Sequence, residues 1–369
     1  MNDHCAVPVP AALTDYQLLG NSGLRVSPMC LGTMNFGEDW GTGASRDDSR
    51  AIFDGYAEAG GNFIDTADLY TDGTSEAYVG EFLAAHGERD RFVLATKYSL
   101  QRREGDPNGA GNHRKSMTTA VEASLKRLKS DTIDLYWLHI WDFTTPTDEL
   151  IRAFDDLVRA GKIQYVAISD TPAWKIAELH TYATCHALTR PIATQVEYSL
   201  ITRDVERDIA PMCLDLGLGL LPWSPLKGGV LSGKYGREDL EKIESGDSEG
   251  VGKRGMQLDK KRVELIEGLR EIADAHGKTV AQVAMNWLLS RPHVPSVIIG
   301  PRTREHLDGS LGSLGFNLTP EQLNRIDELA PISLGFPHDF LRGGAGRKFV
   351  TAGLDLPRRP YAQIHPLKK

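Results

Sequence analysis

At 369 residues, with 41% hydrophobic and 25% charged side chains, the chain has an ordinary globular balance and room for one large domain or two smaller ones. A formal net charge of −8 and a pI near 5.8 argue against a nucleic-acid surface, and no apolar run is long enough to span a bilayer. The N-terminal "MNDHCAVPVPAALTDY" has no basic start and breaks its apolar residues with prolines, so it does not read as a secretory signal and a cytoplasmic location is expected.

Taken in chain order, "YQLLGNSGLRVS" (16–27) places a turn between two alternating segments, a hairpin suited to plugging the bottom of a barrel. Strand-like apolar runs follow at 28–32, 62–66, 92–97, 133–139, 163–169, 191–197, 218–224 and 295–300. Between them lie helical patterns such as "SRAIFDGYAEAG", "KSMTTAVEASLKRLKS" and "DELIRAFDDLVRAGK", with apolar residues at spacings of three and four. Apolar strands alternating with helices make a parallel sheet, and eight such units predict an α/β fold of the (β/α)₈ TIM-barrel type. The competing dinucleotide sheet needs GxGxxG between a strand and a helix; the match "GVGKRG" (250–255) follows the polar "ESGDSEG" and reads as a loop. The connections 99–113 and 236–258 are Gly-rich and polar, longer than routine loops. One barrel domain is expected over 16–335, with 1–15 and 336–369 as terminal extensions.

Cys5, Cys30, Cys185 and Cys213 form no CxxC pair or disulfide framework, and His180, Cys185 and His186 have no zinc-site spacing, so no metal site is expected. The chemistry points instead to strand ends, where such barrels carry their active sites. Asp65 ends the second strand, Tyr70 follows five residues later, Lys97 ends the third strand and His139 the fourth. Each alone has a bland reading as a cap, a packed ring or a satisfied core histidine. Four titratable groups at equivalent ends of apolar strands are harder to explain as packing. They suit protonation of a carbonyl oxygen during hydride transfer. Tyr70 serves as the acid, Lys97 as the ammonium expected to lower its pKa, Asp65 as the partner of Lys97, and His139 as the group orienting the carbonyl. A hydride donor must be bound beside them.

With "LGTMNFG", "NFIDTADLY", "ATK", "DLYWLHIWD", "GKIQYVAISD", "TQVEYSL", "PWSPLKGGVLSGKY" and "SVIIGPRTREHL" in order over roughly 16–330, the chain resembles the aldo-keto reductases. Its "DLYWLHIWD" and "SDTPAW" segments are most similar to the aryl-alcohol-dehydrogenase-like branch. The resemblance implies an NADPH-dependent oxidoreductase acting on a small aldehyde, ketone or alcohol, with a catalytic tetrad of Asp65, Tyr70, Lys97 and His139. It also implies a cofactor extended across the barrel rim. Gly32, Thr33 and Met34 would approach the nicotinamide, beside Asp65; Ser169, Asp170 and Gln195 would hold its carboxamide; and Trp223 would stack on the ring. Ser224, Pro225, Leu226, Gly228 and Lys234 would follow the pyrophosphate. Gly300, Arg302, Thr303, His306 and Ser310 would surround the adenosine end, where a helix start beside an arginine suits the 2′-phosphate.

The chain departs from the family pattern at that end, with His306, Gly309 and Ser310 where Gln, Glu or Asn is common, and with Asp170 in place of the usual Asn. NADH therefore stays open beside NADPH (NADP+). Trp40, Trp141 and Phe143, with Tyr70 and His139, are the expected walls of a substrate pocket. The alternative to an enzyme is a nucleotide-binding regulatory subunit similar to potassium-channel β subunits, which turnover with exchangeable cofactor would separate.

Overall fold

The computed structural model describes residues 6–101, 103–247, 249–252, 257–342 and 349–354, so the second half of "GVGKRG" and the end of the tail lie outside the described residues. The hairpin forms from β1 (Gln17–Leu18) and β2 (Arg25–Val26), paired antiparallel. The barrel strands are β3 (Met29–Gly32), β4 (Phe63–Asp65), β5 (Val93–Tyr98), β6 (Ile133–Leu138), β7 (Ile163–Ser169), β8 (Pro191–Glu197), β9 (Gly219–Trp223) and β10 (Val297–Ile299). All pair in parallel in the order β10-β3-β4-β5-β6-β7-β8-β9, and β10 packs beside β9, nearly closing the barrel. Helices such as α1 (Arg46–Glu58), α2 (Thr74–His86), α3 (Arg114–Leu128), α4 (Thr147–Arg159) and α5 (Ala173–Cys185) connect consecutive strands. Their starts are set locally: the Ser45 side chain caps α1 by accepting from Asp48 N–H at 3.1 Å.

Side chains alternate across each strand, and two separate cores result. The outer one lies between sheet and helices, with Leu31, Ile64, Leu94, Tyr136 and Ile168 among its members. Within the barrel sits a smaller one, built from Cys30, Phe63, Val93, Ala95, Leu135, Trp137, Ala167, Ala193, Leu221 and Ile298. Leu19 and Val26 of the hairpin join this inner cluster, so the plug expected from the sequence is in place. The period of two then positions the site. Phe63 leads to Asp65, Val93 and Ala95 to Lys97, and Leu135 and Trp137 to His139, all on the inward rows. Ala167 leads likewise to Ser169, Ala193 to Gln195 and Leu221 to Trp223.

Two stretches differ from expectation. Residues 7–15 belong to the packed body: Val9 and Leu13 are buried in the outer core, and Val7 N–H donates to Ser290 O at 2.9 Å. The connection 236–258 includes a helix, Arg237–Glu244, whose Leu240 and Ile243 pack on the outer core and so escape a reading based on glycine content.

Candidate active site

Lys97 lies at the centre of the site. Its buried ammonium donates to a carboxylate oxygen of Asp65, to Thr66 O at 2.9 Å and to the Tyr70 hydroxyl at 3.0 Å. The second Asp65 oxygen accepts from Gln195 Nε2 at 3.2 Å. Tyr70 opens a single tight turn, Tyr70–Gly73, in which Thr71 and Asp72 take left-handed φ values of 46° and 54°. Thr71 Oγ1 anchors that turn by donating to Phe36 O at 2.7 Å, so the phenol is held by a constrained backbone. The His139 ring stands edge-on to Tyr70, with centroids 5.8 Å apart. The structure thus brings together all four residues expected from the strand ends.

Burial dominates their electrostatics. Burial, and then the nearby Lys97 charge, lower the His139 pKa from 6.5 to about 3, so the ring is neutral at physiological pH. Desolvation alone would depress Lys97, but Asp65 and then Tyr70 outweigh it and keep the ammonium charged. Burial pushes the Asp65 carboxyl up against the opposing pull of Lys97 and Gln195. Tyr70 corrects the expectation from sequence. Its pKa is raised, because the cost of desolvating a phenolate exceeds the stabilisation from Lys97, and Asp65 adds repulsion.

The rim residues divide into groups. Ser169 is buried and its hydroxyl has no hydrogen-bond partner among the described residues, Gln195 touches Asp65, and the half-buried Trp223 donates its indole N–H to Asp170 Oδ1 at 3.0 Å. Thr33 is buried and donates to Asp65 O at 3.1 Å, while Met34 is exposed. Gly32 has a reason of its own: a Cβ there would lie 2.7 Å from Ile298 Cγ2 and 3.1 Å from Ile299 O, so close strand packing already demands glycine. In the loop after β9, Ser224 has φ 53° and Gly228 φ 63°, and Gly228 N–H donates to Ser224 Oγ at 3.1 Å. Pro225 is buried and Leu226 half-buried beside them. Lys234 is exposed and lies over Tyr235. Past β10, Gly300 O accepts from Asn35 Nδ2 at 3.0 Å, and Thr303 caps the helix Arg304–Leu311 by accepting from His306 N–H at 3.2 Å. Ser310 donates back to His306 O at 2.8 Å, and the half-buried Arg302 engages no partner among the described residues.

Residues 28–331 match the sequence pattern of the Aldo/keto reductase family. The chain belongs to that family. It is 39% identical over 367 residues to a norsolorinic acid reductase of Emericella nidulans, covering 97% of this chain and 92% of that protein. A norsolorinic acid reductase of Dothistroma septosporum is 38% identical, covering 89% of this chain and 84% of its own. An aryl-alcohol dehydrogenase [NADP(+)] of Phanerodontia chrysosporium is 34% identical, covering 90% of each chain. With these relatives the protein is an oxidoreductase enzyme of the NAD(P)-dependent aldo-keto reductase type. No described helix is long and apolar enough to cross a membrane.

Of the expected pocket walls in this aldo-keto reductase, Trp141 and Phe143 line one open cavity of about 470 Å³ with Ile140, Asp170, Val196 and Val205, whereas Tyr70, His139 and the exposed Trp40 are not part of its lining. Sequence reasoning missed what supports that wall. Asn112 is fully buried and donates to Ser99 Oγ at 2.8 Å and to Ile140 O at 2.9 Å. It also exchanges two bonds with Asp142, its own N–H donating to Oδ2 and its Oδ1 accepting Asp142 N–H, both at 2.8 Å. Ser99 in turn accepts from His139 N–H at 3.2 Å, so the loop after β5 supports the histidine that follows β6. The only signal for this in the sequence was the length of the 99–113 connection.

Proposed function

We propose that this aldo-keto reductase reduces an aldehyde or ketone with NADPH, or oxidises the matching alcohol in reverse, with Tyr70 as the proton donor. The observation that carries the reading is Lys97 Nζ seated between Asp65 and the Tyr70 hydroxyl, 3.0 Å from the latter, with the neutral His139 ring alongside. Burial keeps Tyr70 protonated, the form an acid needs. The fixed Lys97 charge stabilises the phenolate formed when that proton leaves. His139 Nδ1 is buried and has no partner among the described residues, so Nε2 is the ring nitrogen left to donate to a carbonyl oxygen and orient it.

The rim suits NADPH on its own chemistry. The Ser169 hydroxyl, without a partner among the described residues, and Gln195 match a carboxamide, the Trp223 indole offers a flat face, and Arg302 beside the start of the helix Arg304–Leu311 suits a phosphate. Bound NADPH supplies the hydride. The apolar cavity behind Trp141 and Phe143, together with relatives named for norsolorinic acid and aryl alcohols, makes aryl carbonyls the first substrates to try.

Tyr70→Phe tests the assignment. Turnover on an aryl aldehyde panel should fall by at least about a hundredfold while NADPH affinity stays nearly unchanged. A correctly folded variant with near-normal turnover would remove Tyr70 from the role. Adding Lys97→Met should cost little beyond the worse single change, because the two act as a unit; fully additive losses would contradict that.

A further inference from the structure

Around the rim, Asp142 lacks a salt bridge among the described residues but accepts from Asn112, Thr144 and Thr145, whereas the Asp170 carboxylate meets a single neutral donor. Asp65 pairs with Lys97, and Glu197 pairs with Lys227 at 2.6 Å. His139 is neutral. Among the described residues Asp170 has no salt-bridge partner. Burial raises its pKa; its Oδ1 accepts the Trp223 indole N–H at 3.0 Å, but neither that bond nor Lys97, already committed to Asp65, offsets the cost of burying the charge.

The backbone holds Asp170 in place at some cost. Its φ of 36° is left-handed for a side chain with a Cβ, and it is fixed on both sides, its N–H donating to Gln195 O at 3.1 Å and its carbonyl accepting from Trp141 N–H at 3.4 Å. A partly buried carboxylate is ordinarily paired, since desolvating an uncompensated charge is expensive. The partner missing here is a cation, and the indole that Asp170 tethers offers a π face of the sign that attracts one.

We propose that Asp170 and Trp223 form a charge-selective seat for the nicotinamide ring, favouring the cationic oxidised cofactor over its neutral reduced form. The inference rests on the cofactor reading above. The two cofactor forms share every other group, so a fixed carboxylate near the ring separates them chiefly by charge. Asp170 is then a positioning residue for Trp223 and a selector between redox states, with no proton to carry.

Asp170→Asn isolates the charge, because the amide oxygen still accepts the Trp223 N–H while the negative charge is gone. Calorimetric titration of the full chain with NADP+ and with NADPH reads the effect without turnover. The Kd for NADP+ should rise roughly tenfold, the scale of one partly screened charge interaction, with NADPH changing by less than about twofold. Trp223→Phe keeps a ring face and loses the tether, so it should weaken NADP+ in the same direction; it carries the test if Asp170→Asn melts early. Equal shifts for both cofactor forms, or none, would overturn the proposal alone. Failure of wild-type protein to bind either form would remove the cofactor reading and this proposal with it.

Discussion

Titration of His139 probes the electrostatics of the site most directly. Its ring is lowered from 6.5 to about 3 by burial and by Lys97. In the unfolded chain the same ring takes up a proton near 6.5. Between those values the unfolded state binds a proton that the native state refuses, so native stability falls as pH drops through this window and is untouched above it. At pH 5 the penalty is about 2 kcal/mol, from about 1.5 pH units at 1.36 kcal/mol each. His139→Gln removes the titrating group and keeps a polar side chain. Urea unfolding at pH 7.5 and pH 5 should show wild type losing about 2 kcal/mol more than the variant, the shared carboxylate effects cancelling in the difference. Imidazole NMR gives a second reading: the resonance that vanishes in His139→Gln should not titrate above pH 5. A vanished resonance titrating near 6.5, with equal acid losses in both proteins, would refute the buried, neutral ring.

Three further outcomes follow from the same geometry. Ultraviolet difference titration of wild type against Tyr70→Phe should place the Tyr70 ionisation above its ordinary 10.0, and a transition below that value would mean the ammonium outweighs burial. Arg302→Ala should weaken NADPH binding by roughly 1.5 to 3 kcal/mol and barely affect NADH, the range for a charged hydrogen bond; equal losses would make Arg302 a loop-shaping residue. Gly32→Ala, meeting Ile298 Cγ2 at 2.7 Å and Ile299 O at 3.1 Å, should lower stability by about 1 to 3 kcal/mol in a thermal melt, and an unchanged melting point would show that β10 yields freely.

The barrel and the convergence of Asp65, Lys97 and His139 were legible because one periodicity writes both, with Tyr70 placed by its short distance from Asp65. Residues two apart on a strand share a face, so the apolar row Val93 and Ala95 points directly to Lys97, and Leu135 and Trp137 to His139. Features that depend on conformation escaped. Nothing in "SDTP" announces that Asp170 has φ 36° and holds an indole from β9, because the contact joins residues 53 apart in sequence. The pKa of Tyr70 was misjudged in direction because proximity of Lys97 is readable from strand register, whereas the depth of desolvation is not. Gly32 invited a ligand explanation that Ile298 and Ile299 make unnecessary. Val9 and Leu13 were placed outside the domain because a segment without regular structure carries no periodic mark of burial.

The paired bonds between Asn112 and Asp142 also bear on how substrate range could change, in nature or by engineering. They bind the connection after β5 to the one carrying Trp141 and Phe143, and through Ser99 they reach the backbone of His139. Grafting only one of these loops from a relative would leave Asn112 or Asp142 facing a mismatched partner and would disturb the histidine along with the pocket wall. The two loops therefore form one structural unit, and if Trp141 and Phe143 wall the substrate site as proposed, chimeras cut outside both should keep their activity where chimeras cut between them lose it.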